Sequence, residues 1–425
     1  MTNRRYRGIA TQVWTIRQGI GPTWLRASIA IALVLSGCKQ PGTSSGQPAE
    51  EATEIRPSSS AVMSAAPEKP EAPTTRRPPK GKLGQGQKVE IPGGGFASGS
   101  TPGDRGRDPS LEPALTKVEL GPYSIDRLPY PNDPNAQPRT GVTRREAERL
   151  CGERGQRLCT ELEWERACKG PEADPYPTGA GWDPACEQHP NACATGFDVV
   201  AMGASLREWT SSDLDVGDGD QKPSAILRGG RAKVADTEHR CARRELADAN
   251  AQAEDLGFRC CGGPPNAARI TRPKPLQTFR RVKLDPPQVT SMIKSVPQLA
   301  DLGEVTFFQE PDDVNRVLAR GDAGKQGNTL TTSPLLWSPA IGEELLVLTG
   351  LGASGSAFVA AFYRLPDDRY RLASSFVLKN EPGPIVLGFN GWVKNRLTWS
   401  TCWGCLGEEG LIVHREPGRV VIEQR

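Results

Sequence analysis

The cysteines constrain this chain more than any other feature, because the segment that precedes them decides their chemistry. A basic stretch holding Arg4, Arg5, Arg7, Arg17 and Arg26 leads into the apolar run Ala27 to Leu35. That run is too short to anchor a helix across a bilayer, so it reads as a secretory signal. Export would place the rest of the chain in an oxidising compartment, where cysteines pair. There are eleven cysteines in all; Cys38 closes the signal, and the remaining ten form an even set that permits five disulfides.

Leu35-Ser36-Gly37-Cys38 resembles the lipobox of bacterial lipoproteins, in which cleavage before the cysteine leaves it as a lipidated amino terminus. Lys39 follows rather than Asp, which by the same resemblance favours an outer-membrane anchor facing the periplasm or the outside. Residues 39 to 86 are rich in Pro, Ser, Glu, Ala and Thr and carry almost no large apolar side chains. Such a segment buries too little surface to offset chain entropy. The expected organisation is a lipoprotein signal peptide over 1–37, a disordered tether over 38–86, a folded domain over 87–265, a Pro-rich basic linker over 266–290, and a second folded domain over 291–425. The net charge of +3 gives no reason to expect nucleic-acid binding.

Within 87–265, the block Gly155 to Gly170, GQRLCTELEWERACKG, is answered by REWTSS at Arg207 to Ser212, RGG at Arg228 to Gly230 and LGFRCC at Leu256 to Cys261. Thr143 with Glu146, and Thr160 with Glu163, have the spacing of capping boxes and predict two helices. Ala147, Leu150 and Cys151 share a face of the first, and Trp164, Ala167 and Cys168 a face of the second. Val89 to Ser100, VEIPGGGFASGS, predicts a short strand turning through glycines.

This ordered set resembles the formylglycine-generating enzyme (sulfatase-modifying factor) family. Val89 to Ser100 is similar to the family's opening IPGGxFxMGS, Val118 to Asp126 to its next strand, and Tyr130-Pro131-Asn132 stands near its VTN position. The resemblance implies an α+β domain of formylglycine-generating-enzyme-like fold, related to C-type lectin domains, with Cys151 paired to Cys260 and Cys168 to Cys241. Cys159, Cys186, Cys193 and Cys261 leave three pairings open. A local Cys186–Cys193 loop with Cys159–Cys261 is favoured, since adjacent cysteines in a strand point to opposite faces.

In that family, two cysteines between the RGG and GFRC segments bind copper and oxidise a cysteine of the sulfatase substrate. Here Arg231 to Arg240, RAKVADTEHR, contains no cysteine. The three histidines, His189, His239 and His414, lack the spacing of the iron site in the related sulfoxide synthases. The expectation is therefore no catalytic residue and no cofactor, calcium being the one metal the resemblance allows. Its candidate ligand is Glu208, although the family's Gly-Asn just before it is here Ala204-Ser205, which removes one oxygen donor. The acidic loop Asp213 to Asp220 is a second calcium candidate, with a solvated turn as the other reading. What remains is a basic cleft lined by Arg231, Lys233, Asp236 and Arg240, where the family threads its substrate peptide. An inert binding or scaffold module for an envelope protein or glycan is the expected function. A formylglycine-generating-type oxidoreductase with relocated chemistry and a purely structural envelope protein are the alternatives.

Beyond the linker, apolar runs recur about every ten residues with turns at Pro366-Asp367-Asp368 and Glu416-Pro417-Gly418, the pattern of an antiparallel β-rich domain. Cys402 and Cys405 form a CxxC without a following helix and are expected to make a structural disulfide rather than a redox centre. Trp392, Trp399 and Trp403 are candidates to stack sugars, with core aromatics as the other reading. Gly350 to Ser356, GLGASGS, lacks a P-loop lysine and reads as a turn.

Overall fold

Two threonine caps start the helices of the first folded region. Thr143 and Thr160 sit in extended backbone and accept from the amide three residues on, opening α1 (Arg144–Gly152) and α2 (Glu161–Lys169). At α2 the capping box is complete: Thr160 N donates to Glu163 Oε2 at 2.8 Å, and Glu163 N to Thr160 Oγ1 at 3.2 Å. At α1 only the threonine half forms, because Glu146 turns instead to Arg149, 2.7 Å away on the next turn. The computed structural model describes residues 76–214, 224–307, 329–353, 355–381, 385–401 and 409–425. Cys38, Cys402, Cys405, Trp403 and most of the acidic loop lie outside them.

Three small sheets surround these helices. One runs Lys88–Ile91, Tyr123–Asp126, Cys260–Gly262, Arg157–Leu158 in spatial order and is antiparallel throughout. A second runs Glu245–Ala247, Ala225–Arg228, Arg207–Asp213, Leu256–Phe258, with its last pair parallel. Gly94–Ser98 and Thr116–Leu120 make a two-stranded ribbon. Val89 to Ser100 is thus two strands in different sheets, parted at Pro92-Gly93. Val118 to Asp126 breaks at Gly121-Pro122, where proline has no amide for a ladder.

Four disulfides join the layers: Cys151–Cys260, Cys159–Cys261, Cys168–Cys241 and Cys186–Cys193. The first packs with Trp209, Leu227 and Phe258, and the second and third with Ile125, Leu162 and Trp164. Adjacent residues Cys260 and Cys261 therefore serve two cores, as strand alternation requires.

The folded part starts earlier than 87. Arg77 pairs with Asp174 at 2.5 Å, and Lys80 O accepts from Arg127 Nη2 at 2.7 Å. Likewise 266–290 is not a free linker. Asn266 donates to Glu163 at 2.7 Å, Ile270 packs on the first core, and Phe279–Arg281 is already a strand of the second region. These short stretches satisfy their polar groups on residues far along the chain, which local composition does not report.

The second region is a β-sandwich with an extra layer. One sheet orders Phe279–Arg281, Leu335–Trp337, Leu345–Gly352, Ala357–Arg364 and Tyr370–Leu378, with Val305–Phe307 also on Leu345–Gly352. The other orders Thr329–Thr331, Val386–Phe389, Arg396–Ser400, Gly410–Glu416 and Arg419–Gln424. Along the central strand, Leu345 and Val347 face the second sheet, while Leu346 and Leu348 face a helical cover that includes Val289, Ile293, Leu299 and Leu302. Burial on both faces explains the unbroken apolar runs there. Trp399 is fully buried between the sheets, whereas Trp392 is 92% exposed.

Candidate functional site

Every residue of α2 is buried, its charged ones included, and an unpaired charge in the interior costs several kcal/mol. Their surroundings are set by that cost. Glu161 accepts from Arg228 and, at 2.9 and 2.7 Å, from Arg244. Glu165 accepts from Ser98 Oγ at 2.7 Å, the Gly99 amide at 2.6 Å and Arg228 at 2.8 Å, with Lys169 3.1 Å away. Glu163 takes both arms of Arg157 at 2.8 Å. Burial pushes the Glu165 carboxyl up; the charges of Lys169, Arg228 and Arg244 outweigh it and hold the group at about 2.

The remaining signature residues have the same kind of work. Glu208 is fully buried, accepting from Arg259 at 2.7 and 2.7 Å and from the Trp164 indole at 2.9 Å. Arg228 also donates to the carbonyls of Cys241, Ala242 and Arg243 at 3.1–3.3 Å, which fixes the chain just after Arg231 to Arg240. A Cβ on Gly229 would stand 2.6 Å from the Leu206 carbonyl oxygen, and one on Gly230 2.8 Å from that of Glu238. The two glycines permit that close approach.

Segment 231–240 does not form the cleft expected of it. Arg231, Lys233 and Asp236 are exposed: Arg231 is 3.7 Å from Asp255, and the Lys233 amide donates to Glu187 at 2.7 Å. Arg240 does not line a cleft with them. It is buried and donates to both oxygens of Glu112 at 2.7 and 2.8 Å and to the Gly106 carbonyl. The strap Thr101 to Glu112 lies over this part of the segment, so close that a Cβ on Gly106 would stand 2.4 Å from Thr237. His239 is a core plate, stacked on Trp182 with centroids 4.0 Å apart, its Nδ1 2.6 Å from the Gly203 oxygen.

Among the described residues, the side chains at the family's metal positions do not fit copper or calcium. All eight cysteines of the described residues are bridged, leaving none of them as a thiolate for copper. Glu208 sits in a buried brace, its oxygens turned to Arg259 and Trp164, so it offers calcium no open ligand. Among the described residues, no group of three or more His, Cys, Asp or Glu could hold a metal ion.

Residues 129–262 match the family model of the sulfatase-modifying factor enzyme 1-like domain. The chain carries a sulfatase-modifying-factor-like domain. No curated protein matches the chain. Among solved structures, it is similar to PvdO from Pseudomonas aeruginosa, with 18% identity over 41% of this chain and 93% of that one and a TM-score of 0.34. CarF is similar at 16% identity over 42% of this chain and 98% of its own, with a TM-score of 0.31. Treponema denticola variable protein 1 is similar at 16% identity over 42% and 95%, also with a TM-score of 0.31.

The sulfatase-modifying-factor-like domain and the sandwich meet through the strap. Asp104 pairs with Arg371 at 2.9 Å, and Arg107 donates to the Glu112 carbonyl at 3.0 Å while reaching the Gly342 carbonyl at 3.5 Å. No motif or periodicity marks this strap in the sequence. It shows only as the charge-dense TPGDRGRDPSLEP, whose partners Arg240, Gly342 and Arg371 stand well over a hundred residues away.

Proposed function

We propose that the protein is a lipid-anchored cell-envelope protein whose sulfatase-modifying-factor-like domain is a catalytically inert binding or scaffold module. The observation that carries this reading is the bridging of all eight described cysteines together with the lack of any cysteine in Arg231 to Arg240. Formylglycine formation by the family's chemistry needs two reactive thiolates side by side. The charged residues Glu161, Glu163, Glu165, Glu208, Arg228 and Arg259 of the retained signature support the same reading, since each is occupied by an internal ion pair. The surface left to a partner, an envelope protein or glycan, includes the exposed Arg231 and Lys233. Lipidation at Cys38 and placement at the outer membrane are parts of the proposal that rest on sequence alone.

The test is direct. The protein, loaded with copper and given a Cys-x-Pro-x-Arg peptide, should consume no oxygen beyond background and yield no aldehyde by mass spectrometry. Formylglycine in that peptide would sink the reading and favour relocated chemistry.

A further inference from the structure

Two large apolar side chains are exposed among the described residues, Leu276 at 55% and Trp392 at 92%. The segments that carry them are tied to neighbouring residues at the end of one strand. The Ser338 amide donates to the Thr278 carbonyl at 2.8 Å, and the indole of its neighbour Trp337 donates to the Lys394 carbonyl, also at 2.8 Å. Consecutive residues therefore fasten the two segments, each two residues from its exposed apolar side chain. Phe279 and Phe389, three residues from Leu276 and Trp392, pack with tilted rings, centroids 4.7 Å apart.

Hydrogen bonds hold the backbone of the tip that carries Trp392. The Trp392 amide donates to Asn390 Oδ1 at 2.9 Å, the Val393 amide to the Asn390 carbonyl at 3.0 Å, and the His414 amide to the Asn395 carbonyl at 2.9 Å. Backbone is pinned on both sides of the indole while the indole itself stands in water. A backbone already held in place has less freedom to lose when a partner covers the indole.

The surroundings are basic. Residues 268–284 and 385–400 contain no Asp or Glu. Lys274, Lys394 and Arg396 are exposed and have no ion pair among the described residues. Glu343 and Glu344, the acids on the adjoining turn, are engaged by His414 and by Arg280 and Arg364.

We infer that this tip docks on a membrane surface bearing anionic phospholipid headgroups, with Trp392 and Leu276 at the headgroup–acyl boundary and Lys274, Lys394 and Arg396 on the phosphates. Trp is suited to that boundary because its body is apolar and its N–H polar. Basic residues beside it add attraction to an anionic leaflet. A sugar-stacking role fits less well, since ligand sites are concave and ringed by oriented polar groups, whereas this indole is 92% exposed. The inference stands apart from the scaffold reading, because vesicle binding and formylglycine formation are read in separate assays.

A chain of residues 61–425 holds every described element and lacks Cys38. That chain should co-sediment with phosphatidylcholine vesicles containing phosphatidylglycerol, less with phosphatidylcholine alone, and less again at high salt. Brominated lipid should quench part of its tryptophan emission, a part missing in Trp392→Phe. Trp392→Ala, and separately Lys394→Glu with Arg396→Glu, should each weaken binding about tenfold or more. Both sites are exposed, so unchanged thermal midpoints would confirm that the variants fold. Sedimentation of Trp392→Ala equal to the parent, no binding to either vesicle, or binding to an oligosaccharide in place of vesicles would each overturn the inference.

Discussion

Arg240 grips Glu112 with both arms of its guanidinium, across 128 residues of chain. The pair locks the strap onto segment 231–240, where the family resemblance places a substrate cleft. Burial pushes the Glu112 carboxyl up, but the hydrogen bonds and charge of Arg240, with help from Ser100 and the Asp108 amide, bring it below the ordinary glutamate range. Arg240→Ala should therefore cost about 3–5 kcal/mol, because it leaves a buried carboxylate without its partner. Urea unfolding of the two proteins measures it, and a loss below about 1 kcal/mol would show the pair to be solvated.

Glu165 predicts the acid limb of stability. Its folded-state value of about 2 lies below the ordinary glutamate range. A carboxyl depressed in this way contributes stability that is present above about pH 4.5 and is lost as the pH falls toward 2, on the order of 3 kcal/mol. Unfolding free energy measured from pH 6 to pH 2 should fall less steeply in Glu165→Gln, although that variant is weaker at neutral pH. Parallel curves would contradict the assignment.

The disulfides should rank by the length of chain they close. Cys168–Cys241 encloses 73 residues and Cys186–Cys193 only 7. Replacing the first pair by alanines should cost about 4 kcal/mol and the second about 2 kcal/mol in the chain-entropy description. Denaturant midpoints of the two double variants check the order.

Gly342 predicts how tightly the sandwich sits on the strap. Its φ is +76°, and a Cβ there would lie 1.8 Å from the Pro109 carbonyl oxygen. Gly342→Ala should lose about 1–3 kcal/mol or more through backbone strain and overpacking. Limited proteolysis should then cut within 101–112, a segment that stays intact in the parent.

Arg231→Glu with Lys233→Glu should leave the thermal midpoint almost unmoved, within the roughly 0.5 kcal/mol usual for exposed sites. That double variant is the clean probe of partner binding at this segment. Adding Arg240 to it would confuse lost recognition with lost folding.

The sequence announced what is local. The α2 cap is written in four residues, Thr160 to Glu163, and cysteines in neighbouring strand positions declare opposite faces. It concealed what is remote. Arg240 reads as one more cation of a ligand cleft because nothing near it reveals Glu112, and Arg77 reads as tether because Asp174 lies 97 residues on. The cover of the sandwich was hidden for another reason. Val289, Ile293 and Val296 have helical spacing, but three prolines among Pro286, Pro287 and Pro297 make the stretch look like a connection. Trp392 and Trp399 show the limit most plainly, since the same residue type seven positions apart is in one case fully exposed and in the other fully buried.

Cys260 and Cys261 pose a sorting problem for the oxidised chain. Exchanging their partners, Cys151 with Cys261 and Cys159 with Cys260, would close loops that differ from the native ones by a single residue. Loop entropy is blind to so small a difference. Only the alternation of a strand already seated between Tyr123–Asp126 and Arg157–Leu158 turns each sulfur toward its own mate. In this domain the bridges cannot instruct the fold at that point; they record it, and a cell that makes the protein must hold the thiols open to exchange until the strand has docked.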